Sequence, residues 1–224
     1  MGKNGNLAIL VVVCAIFLLS GIVTATTVTI APSDDLWVVS DQPNANLGTN
    51  MELRVGPEAS GRINRSILKF NLSAVPEGQV ITSVKLYLYE RQAAENTTDF
   101  YDVYTASGTG VTTWDDATAT WNSTQPNWTY TLAENDEVNI TAAGWYHWDI
   151  TTSLSRTDVV TFGLLSKVET SDTNQRAFFY STHGGTSTQV QPYLEVTYEA
   201  VPEPTTAMLL LGIGCVRVFC KNGF

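Results

Sequence analysis

The sequence of 224 residues has little of the chemistry on which most enzymes depend. Its three cysteines, Cys14, Cys215 and Cys220, lie in the two apolar end segments, so the region between them has no thiol. This excludes a disulfide framework, a thiol nucleophile and a cysteine-ligated zinc site from the middle of the chain. The two histidines are His147 and His183, and no nucleophile elbow, His-Glu-x-x-His or phosphate-binding glycine loop is present. These absences weigh against catalysis.

Charge is also scarce, and its balance is acidic. Charged residues make up 15% of the chain, with 12 Lys and Arg against 22 Asp and Glu, for a formal net charge of −10. Such a surface repels a phosphate backbone, so nucleic acid is not expected as a partner, whereas divalent cations are favoured. The hydrophobic content of 44% is ample for a folded core.

Residues 1–25 predict a secretory signal peptide. Lys3 precedes an apolar run from Leu7 to Val23, and Val23 and Ala25 are small enough for the pockets of signal peptidase. The alternative is an uncleaved anchor, for which the run is slightly short. Either way the body is exported, with transient membrane contact through the ends of the chain.

Residues 201–224 carry a second targeting pattern. It opens with Pro202, Glu203 and Pro204, continues with a short apolar run and then reaches Arg217. The run is too short to cross a bilayer. The segment resembles a PEP-CTERM sorting signal, which an exosortase-type enzyme processes, although a lone arginine replaces the usual basic cluster. The resemblance implies an extracellular or cell-envelope location.

Residues 26–200 have the pattern of one all-β domain. Short alternating runs recur between turn signals, and no stretch keeps the 3.6-residue apolar period of a helix. The clearest run alternates Leu86 and Leu88 with Tyr87 and Tyr89, so that one face is core and the other meets solvent or ligand. About ten strands in one domain favour a two-sheet antiparallel jelly-roll β-sandwich. One helical turn is predicted after Thr151.

The predicted strands are short and spread over the whole of this region. They lie near Thr27–Ile30, Trp37–Ser40, Glu52–Val55, Ser66–Leu72, Ile81–Tyr89, Tyr101–Thr105, Glu137–Ile140, Trp145–Ile150, Val159–Ser166, Ala177–Ser181 and Tyr193–Tyr198.

Several spaced motifs lie in order along residues 34–199. They are Trp37-Val38-x-Ser40 with Asn46-x-Gly48, Ile67-Leu68-Lys69-Phe70 with Val75-Pro76, Trp114-x-x-x-Thr118-x-Thr120-Trp121, Trp145-x-x-Trp148-Asp149-Ile150-Thr151, and Pro192-Tyr193-Leu194-Glu195-Val196. Together they resemble the DNRLRE-type domain, a secreted module related to carbohydrate-binding module family 96. The resemblance implies a non-catalytic glycan-binding or structural module, with alginate-type acidic polysaccharide as one ligand class.

Five of the six tryptophans divide into two groups. An aromatic face stacked on a pyranose ring is the usual basis of sugar binding, and Trp128, Trp145 and Tyr146 are the candidates for it. The alternative is that tryptophans close the ends of the sandwich. That alternative is favoured for a structural corner formed by Trp114, Thr118, Trp121, Trp148, Asp149 and Thr151.

Oxygen donors concentrate around one predicted turn, and Asp115 and Asp116 add a further pair. Calcium takes six to eight oxygens, so the turn is a candidate structural calcium site. The spacing does not fit an EF-hand, and Asp and Asn also occur in turns through their own backbone hydrogen bonds. The candidate ligands are Asp34, Asp35, Asp41, Asn44 and Asn46.

The sequence therefore predicts an exported, non-catalytic protein of the cell envelope or extracellular matrix whose module binds polysaccharide or an exopolysaccharide matrix. The alternatives are a polysaccharide lyase or hydrolase, which would release cleaved sugar, and a purely structural surface protein without a ligand.

We expect the exported protein to begin at Thr26, because the small residues Val23 and Ala25 end the apolar run. Intact-mass measurement of the exported protein checks this. A measured mass equal to that of a chain that still contains residues 1–25 would instead support the uncleaved anchor.

Overall fold

The computed structural model describes residues 24–92, 100–133, 138–151, 154, 159–170, 173–184 and 190–201. In these residues it contains twelve β-strands: β1 (Ala25–Ile30), β2 (Asp34–Val39), β3 (Glu52–Pro57), β4 (Ile63–Asn71), β5 (Gln79–Glu90), β6 (Phe100–Gly108), β7 (Trp128–Leu132), β8 (Val138–Asn139), β9 (Gly144–Asp149), β10 (Val159–Ser166), β11 (Ala177–Tyr180) and β12 (Tyr193–Ala200). A 3-10 turn spans Leu72–Ala74, and one helical turn, α1, spans Trp121–Thr124.

The strands form one curled sheet, in the order β1-β12-β5-β11-β3-β4-β10-β6-β7. Strand β2 also pairs with β4, β8 with β6, and β9 with β5. The strand β3 pairs with β11 through residues 52–55 and with β4 through residues 56–57, both antiparallel. The sheet therefore turns at β3 into two layers. We call β1, β12, β5, β9 and β11 the first layer, and β4, β2, β10, β6, β7 and β8 the second.

The predicted antiparallel β-sandwich is confirmed, with its two layers joined through β3. The bounds of β10 are those predicted. Strand β7 is not among the predicted strands. The helical turn predicted after Thr151 falls largely outside the described residues. A turn that was not predicted, α1, is capped by Thr120, whose hydroxyl accepts from the Ser123 amide.

The main core lies between the two layers. Along β5, inward and outward side chains alternate, as the sequence pattern predicts. Its inward side chains are buried against those of β4 and β10 in the second layer. The buried residues from these three strands are Val84, Leu86, Leu88, Leu68, Phe70, Val160, Phe162 and Leu164.

A second, smaller core covers the outer face of the second layer. It lies under residues 109–127, which we call the covering segment, and it includes Ile67, Trp114 and Trp128. The Trp114 indole donates to Thr161 Oγ1 at 3.0 Å, and the Trp128 indole donates to the Thr109 carbonyl at 3.0 Å. These tryptophans therefore pack the second layer, with their polar N–H groups satisfied.

The end of β9 is fixed by a chain of hydrogen bonds. Trp148 is buried, and its indole donates to the Tyr101 carbonyl of the facing layer at 2.7 Å. Asp149 Oδ1 accepts from the Thr151 hydroxyl at 2.6 Å and from the Thr151 amide at 3.1 Å. The same hydroxyl accepts from the Val84 amide at 3.0 Å, so the corner is tied to β5. These hydrogen bonds lower the pKa of Asp149.

A buried carboxyl group lies at the end of β5. Glu90 is fully buried, and both of its oxygens lie 2.9 Å from the Phe178 amide, which donates to them. Burial raises its pKa to about 8. The native state therefore holds a proton at neutral pH that the unfolded chain has lost.

Replacing Asp149 by Ala should lower the free energy of unfolding by about 1 kcal/mol or more, because two acceptor bonds of the corner are lost. Asp149→Asn, which keeps one acceptor oxygen, should lose less. Urea unfolding measures both variants. Unchanged stability together with lost ligand binding would make Asp149 a binding residue instead.

We expect the wild-type protein to lose stability as pH rises from about 5 to 8, by up to about 1.4 kcal/mol per pH unit. The sign follows because the pKa of Glu90 is higher in the folded state than in the unfolded chain. Glu90→Gln keeps an acceptor for the Phe178 amide and removes the titration, so its stability should vary much less over this range. Urea unfolding measures the free energy of unfolding of both proteins at each pH. If the two free energies change in parallel with pH, Glu90 is not the group whose titration lowers the stability.

Candidate functional site

The structure separates the three aromatic candidates for sugar binding. Trp128 is only 7% exposed and packs against Trp114, so it presents no open ring face. Tyr146 packs against the main core, and its hydroxyl donates to the Ala142 carbonyl at 2.9 Å. Trp145 is 41% exposed. Since neighbouring residues of a strand point to opposite faces, Trp145 and Tyr146 do not share a surface.

Trp145 lies in a group of aromatic side chains on the outer face of the first layer. Strand register places His147 opposite Tyr87, and Trp145 opposite Tyr89, on the paired strands β9 and β5. Strands β12 and β11 contribute two more rings. We call this group the aromatic face, and its members are Tyr87, Tyr89, Trp145, His147, Tyr180 and Tyr193.

The rings of the aromatic face pack closely against one another. Tyr87 stacks on Tyr193, with centroids 4.7 Å apart and planes 8° apart, and on His147 at 5.2 Å and 29°. Trp145 is nearly perpendicular to Tyr87, at 75°. Although it contacts these rings, Trp145 keeps 41% of its surface exposed.

A cavity of about 590 Å³ opens beside Trp145, a volume typical of small-ligand sites. It combines the indole and a proline ring with hydroxyl, amide and carboxylate groups, as sugar recognition requires. The lining residues are Thr29, Ala31, Trp145, Gln191, Pro192, Tyr193 and Glu195.

The electrostatics of this cavity are acidic. Its one lining carboxylate is Glu195, and no lysine or arginine is among its described lining residues. Burial, together with Tyr87 and Glu195, raises the pKa of Tyr193, so this hydroxyl stays a neutral hydrogen-bonding group.

The structure gives the five candidate calcium ligands several different partners. Four of them are engaged separately. Asp34 pairs with Lys69 Nζ at 2.7 Å, and Asp41 pairs with Arg62 at 2.6 Å. Asn44 Oδ1 accepts from the side-chain amide of Asn122 at 2.9 Å. The side-chain amide of Asn46 donates to the Asp116 and Ala119 carbonyls, both at 2.8 Å. The fifth, Asp35, lies instead beside Asp116 and His183.

The predicted corner residues occupy two separate places. Trp148, Asp149 and Thr151 lie at the end of β9, as described above. The other three lie in or beside the covering segment. There Trp114 is buried, the Thr118 hydroxyl donates to Asp115 at 2.7 Å, and the half-buried Trp121 packs under the Arg65 guanidinium at 5.3 Å.

Part of the aromatic face was visible in the sequence. The alternation along β5 placed Tyr87 and Tyr89 on the outward side, but nothing linked them to Trp145. Tyr193 and His147 were missed as site residues because their position depends on strand pairing. The sorting residues Pro202, Glu203, Pro204 and Arg217, and nearly all of the signal segment, lie outside the described residues. Within the described part of the chain, no helix is long and apolar enough to span a membrane.

Among curated proteins none matches the chain. The profile of carbohydrate-binding module family 96 matches residues 26–198, most of the sequence. The profile of the PEP-CTERM protein-sorting motif matches residues 200–220, and this motif indicates export to the cell envelope or extracellular space. The chain therefore belongs to carbohydrate-binding module family 96 and carries a PEP-CTERM sorting motif.

Proposed function

We propose that this protein holds a polysaccharide against the indole of Trp145 and catalyses no reaction. The observation that carries the proposal is the 41% exposed Trp145 beside a cavity of about 590 Å³ on the outer face of the first layer. A pyranose ring presents C–H groups to the face of an indole, and desolvation of both surfaces adds to the attraction.

The surrounding rings hold the indole in place before a ligand arrives. Trp145 meets Tyr89 at 86° and Tyr193 at 67°, with centroids 5.3 and 5.4 Å away. These contacts restrict the rotamers of the indole. A ligand then binds without a large entropic cost of ordering the platform.

The described residues that line the cavity also lack the groups that sugar cleavage requires. Glycoside hydrolysis uses two carboxyl groups on either side of the scissile bond, and the described lining offers only Glu195. A lyase must neutralise the carboxylate of a uronic acid, and no lysine or arginine lines the cavity in the described residues. These features support binding over turnover.

The negative charge of the cavity and of the whole chain favours a neutral polymer over an acidic one. Glu195 borders the cavity, and the chain has a net charge of −10, so an acidic sugar such as alginate meets repulsion. A bound divalent cation or high salt would relieve that repulsion. The preference differs from the acidic ligand class that the family resemblance implies.

The PEP-CTERM motif and the family membership support binding outside the cell. We propose an exopolysaccharide matrix or an envelope polysaccharide as the partner, with an exosortase-type enzyme processing the tail. Strong retention of the protein by the matrix would then depend on Trp145 and not on the covering segment.

Replacing Trp145 by Ala should weaken binding to a neutral polysaccharide by about 1–3 kcal/mol, because the stacking surface is lost. Leu132→Ala is the matched control, since Leu132 is 40% exposed on the other layer. Affinity electrophoresis through gels cast with xylan, cellulose derivatives, alginate or pectin measures retardation. We expect retardation in a neutral gel, unchanged in Leu132→Ala and lost in Trp145→Ala.

Two results would overturn this proposal. Folded wild-type protein that no gel retards, with calcium present, would support a structural surface protein. Release of reducing ends or unsaturated products from any of the polymers would support an enzyme.

A further inference from the structure

Asp35 is a buried carboxylate with an unusual environment. It is fully buried at the start of β2, and it accepts from the Thr182 amide at 2.8 Å and from the Thr182 hydroxyl at 2.6 Å. Its neighbour Asp34 pairs with Lys69. Among the described residues, no arginine or lysine forms an ion pair with Asp35. A buried carboxylate without a permanent cation is costly, and burial raises its pKa.

Two further metal-ligating side chains reach the same point from distant parts of the chain. His183, from the loop after β11, has Nδ1 3.9 Å from Asp35 Oδ1 and Nε2 3.8 Å from Asp116 Oδ2. Asp116 belongs to the covering segment. One ligand atom from each of the three residues lies within 4.8 Å of the others. A small inward shift would bring all three within bonding distance of one ion.

The loops that carry these ligands are already packed together. The side-chain amide of Asn46 donates to the Asp116 carbonyl at 2.8 Å, and Asp34 Oδ1 accepts from the backbone amide of Asp116 at 3.3 Å. A Cβ added at Gly48 would lie 1.8 Å from the Asp116 carbonyl oxygen, so this close approach requires glycine. His183 is 42% exposed, which leaves a path from solvent to the group.

We propose that Asp35, Asp116 and His183 bind one divalent transition metal ion of the Zn²⁺ class, which pins β2, the covering segment and the loop after β11 together. Imidazole nitrogen and carboxylate oxygen are both ligands of Zn²⁺, and water can complete the coordination. Calcium prefers six to eight oxygens and is disfavoured by the imidazole. Thr182 donates hydrogen bonds to Asp35 and so orients this carboxylate without touching the ion itself.

This metal site is independent of the glycan proposal, because none of its ligands lines the cavity at Trp145. The test uses the purified exported protein, stripped with EDTA and with its remaining thiols alkylated, since thiolates bind zinc themselves. Competition with a chromogenic chelator measures Zn²⁺ affinity and stoichiometry, and thermal unfolding with Zn²⁺ or Ca²⁺ measures stabilisation. His183→Ala and Asp116→Asn remove ligands from the more exposed side, and His147→Ala is the matched control.

We expect one Zn²⁺ per chain and a rise in Tm with Zn²⁺ that exceeds the rise with Ca²⁺. Both ligand variants should bind zinc at least about tenfold more weakly, and His147→Ala should match the wild type. Absence of zinc binding in the wild type, equal binding in His183→Ala, or equal stabilisation by Ca²⁺ that survives His183→Ala would each overturn the proposal.

Discussion

The alternation of side chains along β5 is the constraint on which the rest of the molecule depends. Leu86 and Leu88 enter the main core, while Tyr87 and Tyr89 stand on the opposite face of the same strand. A shift of one residue would expose the leucines and bury the tyrosine hydroxyls, so the core fixes the register. Because β9 and β12 both pair with β5, the same register also assembles the rings around Trp145.

The two layers use their outer faces in opposite ways. In the second layer the covering segment lies over the strands, and Trp114 and Trp128 become core residues. In the first layer the aromatic face carries the exposed Trp145 beside its cavity. Similar residues therefore stabilise one face and remain available to a ligand on the other. The proposed metal ion would strengthen the covered side, because Asp116 belongs to the covering segment.

Local pattern predicted the fold well, but it did not show which distant residues lie together, for a physical reason. Alternation and turn residues determine strands, and the bounds of β10 followed from them directly. Whether a tryptophan is buried depends on which distant segment packs over it, so Trp128 and Trp145 looked alike in sequence. The proposed metal ligands show the same limit: Asp35 and His183 are separated by most of the chain and meet only when β2 and β11 are placed.

The central claim is that the indole of Trp145 binds the sugar. The most direct measurement is a titration of the isotope-labelled protein with a neutral xylo- or cello-oligosaccharide, followed through the indole N–H resonances of its six tryptophans. The account predicts a saturable shift at Trp145, with the buried indoles of Trp114, Trp128 and Trp148 unchanged. A resonance shift at Trp128 and in the covering segment, with no shift at Trp145, would contradict this claim.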